Sequence, residues 1–102
     1  MSRFLGGLLQ KAQGIKAKAE EVKKELKNKR VEAEENGIKV TATGDRKLVS
    51  IEIAPEIQLS QEEFKEQILK VSNLALSKAG ELQKEAAGKA MAEIGLNLPE
   101  IF

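Results

Sequence analysis

Residues 30–53, RVEAEENGIKVTATGDRKLVSIEI, carry the pattern that decides the fold. Val31 and Ala33 alternate with Glu32 and Glu34, and Ile38, Val40 and Ala42 alternate with Lys39, Thr41 and Thr43. A period of two places the apolar side chains of a strand on one face. Between the two runs stands Asn36-Gly37, and a type I′ turn requires positive φ at both of its central residues. With a two-residue loop the register follows: Val40 faces Ala33, Ala42 faces Val31, and Lys39 faces Glu34. A second turn, Gly44-Asp45-Arg46-Lys47, leads into Leu48–Ile53, where Val49, Ile51 and Ile53 continue the apolar face. Pro55 has no N–H for a ladder and ends the strand. The expectation is a three-stranded antiparallel meander, at about residues 30–35, 38–43 and 48–53, with one apolar and one polar face.

Upstream the period is helical. Leu5, Leu8, Ala12, Ile15, Ala19, Val22 and Leu26 recur at alternating spacings of three and four, a heptad a/d seam on a helix from about residue 2 to residue 28. Lys16, Lys23 and Arg30 fall at successive e positions, and Lys11 and Lys18 at g. Downstream, Ser60-Gln61-Glu62-Glu63 is a capping box, opening a helix from about 61 to 93. Phe64, Ile68, Val71, Ala75, Ala79, Leu82, Ala86 and Ala90 share one of its faces. Leu69, Leu74 and Leu76 widen that face in the part expected to lie on the sheet. Gly95 reads as the stop, followed by a tail at 95–102. Gly80 and Gly88 inside the helix fit either tight packing or a bend.

Lengths then constrain the assembly. The helices are about 40 and 50 Å long at 1.5 Å per residue, whereas a strand of this kind spans about 17–20 Å. Their apolar seams overhang the sheet and need a partner, in the same chain or in another. The whole reads as one α+β domain over residues 1–102, helix–three strands–helix, forming a homodimer with projecting helices.

Composition narrows the chemistry. The 102 residues include no Cys and no His, which removes disulfides, thiol nucleophiles, the commonest general base and the commonest metal ligand. Asp45 is the only Asp, in a turn, and the glycines form neither a P-loop nor a dinucleotide fingerprint. The seven Ser and Thr residues have no base to activate them. No catalytic residue, metal site, cofactor or small-molecule substrate is expected, and no apolar run is long enough to span a membrane. Residues 1–19, with Arg3, Lys11, Lys16 and Lys18 and no acid, faintly resemble a transit peptide. The seam running on to Leu26 assigns them to the mature helix, and the expected location is the cytoplasm.

Charge is distributed unevenly. Residues 1–30 hold nine basic side chains against three acidic ones, a surplus of six, although the whole chain is only +1. In a structural reading, Lys16, Lys23 and Arg30 pair across the seam with Glu81, Glu85 or Glu93, as e/g residues of coiled coils do. The surplus exceeds what the seam needs, and Lys24 and Lys27 lie away from it, which favours contact with phosphate. Of 17 cations only Arg3, Arg30 and Arg46 are Arg, and Arg is the residue that reads guanine edges bidentately. Phe4, Phe64 and Phe102 are the only aromatics, too few for single-strand stacking. Glu32, Glu34 and Glu52 on the polar face of the sheet repel phosphate. The remaining mode is binding of double-stranded DNA through its backbone, by the helices, with low sequence selectivity. Lys16, Lys23, Lys24, Lys27, Lys29 and Arg30 are the favoured contacts, with Lys11, Lys18 and Lys89 behind them.

The layout resembles the YbaB/EbfC family of bacterial nucleoid-associated proteins. Residues 35–57, ENGIKVTATGDRKLVSIEIAPEI, are similar to the family's "VKVTxxG" and "xxIxIDPxL" stretches in order. LLQKAQGIKAKAEEV at 8–22 resembles its opening helix, and GLNLP at 95–99 its tail. Ala54 replaces the usual Asp before Pro55, the first helix lacks the usual methionines, and the chain ends at Phe102 without a basic extension. The resemblance implies a dimer whose helices project like tweezers, binding of duplex DNA, and a role in organising the nucleoid or in broad regulation. The family has no strict contact motif to carry over, so the lysine assignments rest on charge. Two other classes compete: a dimeric coiled-coil adaptor for a protein partner, and a helix lying on a membrane surface.

Overall fold

A computed structural model describes residues 2–93, with side chains from Ala12 onward. The side chains of Leu5, Leu8 and Lys11, and the tail 95–102 with its stop at Gly95, fall outside the described residues. Helix α1 spans Ser2–Asn28, strands β1, β2 and β3 span Arg30–Glu35, Ile38–Thr43 and Leu48–Ile53, and helix α2 spans Gln61–Glu93. The chain is α+β, with each element where its periodicity places it.

The sheet is an antiparallel meander in the order β1-β2-β3. Ala33 faces Val40, Val31 faces Ala42 and Glu34 faces Lys39, joined by Asn36 and Gly37 at φ 52° and 83°. Both turn residues are left-handed, as a type I′ turn demands. Lys39 reaches diagonally, its Nζ lying 3.4 Å from the Glu32 carboxylate. Between β2 and β3 the register shifts at Thr41/Ala42, so Ala42 pairs with Leu48 while Val40 pairs with Ile51. At the start of α2 the Glu63 N–H donates to Ser60 Oγ at 3.2 Å, and that hydroxyl donates to Glu63 Oε1 at 3.0 Å. The glutamate thus returns to the hydroxyl of Ser60, where the capping box anticipates its N–H.

Ala33, Ile38, Val40 and Ala42 from the sheet pack on Val71, Ala75 and Ala79 from α2, with Phe64 and Ile68 at the margin. Small residues on α2 let the helix approach β2 closely, and Ile38, Val40 and Val71 are fully buried.

Two of the three leucines expected on the sheet are not covered by it. Leu69 is 65% exposed and Leu74 42%, while Leu76 is half-buried. Every residue of β3 is exposed, with Val49, Ile51 and Ile53 at 45–46%. The reason is geometric. One helix about 10 Å across cannot cover three strands spaced about 4.8 Å apart; α2 lies over β1 and β2 and leaves β3 open.

Past the sheet, the C-terminal half of α2 meets α1. Lys23, Lys24 and Lys27 lie near Gln83 and Ile15 lies beside Met91, so the helices run antiparallel. Leu26 is buried and Val22 half-buried, but Ala12, Ile15 and Ala19 are exposed. Among the described residues, the chain therefore covers its own seam only at the sheet end. The result is an elongated body, 70 × 26 × 17 Å, with a radius of gyration of 19.7 Å, against about 13 Å for a compact chain of this length.

Candidate nucleic-acid interface

Successive residues of a helix turn by about 100°, and this divides the basic residues of α1 into two flanks beside the Val22–Leu26 line. Lys16, Lys23 and Lys27 fall within a narrow arc on one flank, with Lys24 about 60° further round, and Arg30 follows α1 as the first residue of β1. Lys18 and Lys29 fall on the other flank, as does Lys11 by helical position. The structure gives the two flanks different surroundings.

On the second flank, Lys18, Lys29 and Lys89 line a groove between α1 and α2 together with Glu25, Glu85 and Glu93. Positive and negative groups balance there. Lys18 is ion-paired with Glu93 across the helices, and its Nζ lies 3.4 Å from Glu21 along its own helix. The hydrogen bond to Glu93 raises the Lys18 pKa above its usual 10.5; burial opposes this more weakly, and Glu21 adds to it. Among the described residues, Lys18 is thus the cation that crosses the seam, rather than Lys16, Lys23 or Arg30, and Glu93 is its acceptor. An amphipathic stripe shows which residues sit near a seam, but the choice of partner depends on how far one helix is displaced along the other.

The first flank is unlike this. Lys16, Lys23, Lys24, Lys27 and Arg30 are all exposed, and none belongs to an ion pair among the described residues. Lys23, Lys24 and Lys27 line a cleft with Lys47 from the β2–β3 turn, alongside Glu20, Asp45 and Gln83. Lys47 was not among the residues that charge patterning selected. Its position follows from topology: α1 ends at Asn28 and β1 begins at Arg30, which faces Thr43 at the end of β2. The next turn must therefore emerge beside the end of α1.

Of the acids expected to repel phosphate, Glu34 and Glu52 are exposed and belong to no ion pair among the described residues. Glu32 contacts Lys39, and Glu35 accepts from Lys70 Nζ at 2.8 Å. Lys78 Nζ also donates to the Glu32 carbonyl at 2.8 Å, so lysines of α2 blunt the β1 edge.

An elongated α+β chain with a basic first helix defines a recognisable class. The sequence model of the YbaB/EbfC DNA-binding family matches residues 1–94, and the chain belongs to that family. It is similar to a nucleoid-associated protein of Thermoanaerobacter pseudethanolicus, 33% identical over 96% of this chain and 90% of the relative. A nucleoid-associated protein of Psychrobacter sp. strain PRwf-1 is 35% identical over 87% of each chain. A third, from Ruminiclostridium cellulolyticum, is 31% identical over 96% of this chain and 88% of its own length.

Proposed function

We propose that this protein binds duplex DNA through its phosphate backbone, with low sequence selectivity, as a homodimer that organises the nucleoid in the cytoplasm or broadly influences gene expression. The observation that carries the reading is the exposed basic flank of α1, whose Lys16, Lys23 and Lys27 share one narrow arc, with Arg30 following at the start of β1, all four without acidic partners among the described residues. Point-charge lysines favour phosphate over base edges. Family membership and the names of the relatives support the DNA reading.

The dimer reading rests on β3. Its apolar side chains stand about half exposed, with Leu69 and Leu74 likewise uncovered on α2. The β1 edge is blunted by Lys70 and Lys78. A second copy seated on the β3 face would cover it and bring two α1 helices to one duplex.

The test replaces Lys16, Lys23, Lys27 and Arg30 together by Gln and compares electrophoretic mobility shifts on two unrelated duplexes. Wild type retards both at similar concentrations, and the variant, folded by circular dichroism, retards neither. Undiminished binding by the variant would remove the reading. The adaptor reading is favoured by one feature, the exposed seam around Ile15, 43% accessible. It requires a folded dimer that does not retard DNA.

A further inference from the structure

We infer that the β2–β3 turn, residues 44–47, is a second arm of the phosphate-binding surface, with Lys47 closing the cleft against Lys23, Lys24 and Lys27 to hold one backbone phosphate. The inference rests on the DNA-binding reading above and adds an element to it.

The turn is fixed against α1. The Gly44 N–H donates to the Lys29 carbonyl at 2.9 Å, and the Thr43 N–H to the Lys47 carbonyl at 2.8 Å. Gly44 is buried, and a Cβ there would stand 2.7 Å from the Leu26 carbonyl oxygen and 3.0 Å from Leu26 Cδ2. Only glycine allows this approach without a shift. The base of Lys47 therefore sits at a set place relative to the α1 lysines, while its side chain, 74% exposed, makes one long ion pair, at 4.0 Å, with Asp45.

The charges in the cleft also separate. Lys23, Lys24, Lys27 and Lys47 outnumber Glu20 and Asp45. The Asp45 carboxylate accepts from the Thr43 hydroxyl and stands 4.0 Å from Lys47, so it is engaged within the turn. Arg46 is turned away: at φ 65° its guanidinium lies over α2, about 4.0 Å from where a Cβ of Gly80 would be. Lys47 is thus the turn's cation on the α1 side. The groove across the seam, where lysine and glutamate balance, offers a phosphate no such surplus.

The test is a salt series of duplex-binding isotherms for wild type, Lys47→Gln, Lys47→Arg and Lys65→Gln. Lys65 is an exposed cation near the start of α2 and serves as the control for net charge. The expected result is weaker binding by Lys47→Gln, with a slope of log K against log salt shallower by about 0.9, one phosphate. Lys47→Arg and Lys65→Gln keep the wild-type slope. If Lys47→Gln and Lys65→Gln behave alike while wild type binds, the turn is no arm and the α1 reading stands. If wild type does not bind at low salt, both readings fall together.

Discussion

At Gly44 a single methyl group decides whether the β2–β3 turn can lie on the end of α1. Gly44→Ala must push the turn or the Leu26 backbone aside, and overpacking of this kind costs about 1–3 kcal/mol. Urea denaturation will show the loss, accompanied by the weaker DNA binding that a displaced Lys47 implies. Ile38→Ala empties a fully buried site and costs about 2–5 kcal/mol without touching the basic surface. Its duplex affinity, measured where it remains folded, stays at the wild-type value. Both outcomes rest on contacts unequally visible in the sequence. Asn36-Gly37 announces its turn from local chemistry alone, whereas Gly44 answers to Leu26, on another element.

The elements themselves were legible because their periods differ. Alternation set the strands and the hairpin register, and the three–four repeat set both helices. What periodicity does not contain is the lateral placement of one element on another. Hence Leu69 and Leu74 were expected on the sheet that α2 only partly covers, and Lys18 was grouped with the free lysines although it crosses to Glu93. The two flanks of α1 should differ in function accordingly. Lys23→Gln/Lys27→Gln will weaken duplex binding more than Lys29→Gln/Lys89→Gln, because the second pair lies in a charge-balanced groove; equal losses by anisotropy would count against the division. The Lys18–Glu93 link also has a pH signature. With the folded pKa raised above 10.5, its contribution is complete below about pH 10 and fades as pH rises through the raised value. Amide exchange in Glu93→Gln should quicken by a few-fold at most at neutral pH, since the pair is partly exposed. Wild type should approach the variant only in strong alkali.

For the molecule as a whole, a protomer 70 Å long with an uncovered apolar strand is half of an assembly in our account. Ile51→Lys places a charge on the β3 face, where the protomer leaves the side chain 46% exposed. The protomer therefore tolerates it, and the dimer does not. Light scattering at micromolar concentration should give the dimer mass for wild type and the monomer mass for Ile51→Lys. DNA affinity should fall when dimerisation is lost, because two linked contacts bind more tightly than one. A monomeric wild type would refute the assembly.

The most direct measurement is fluorescence anisotropy of a labelled duplex, about 20–30 bp long, titrated with wild-type protein across several salt concentrations. Each phosphate neutralised contributes about −0.9 to the slope of log K against log salt. A dimer gripping the backbone with both first helices predicts about 4–8 contacts, and an unrelated duplex should bind within a few-fold. Absence of binding at low salt, where exposed charges act most strongly, would contradict the account, as would binding that does not weaken with salt.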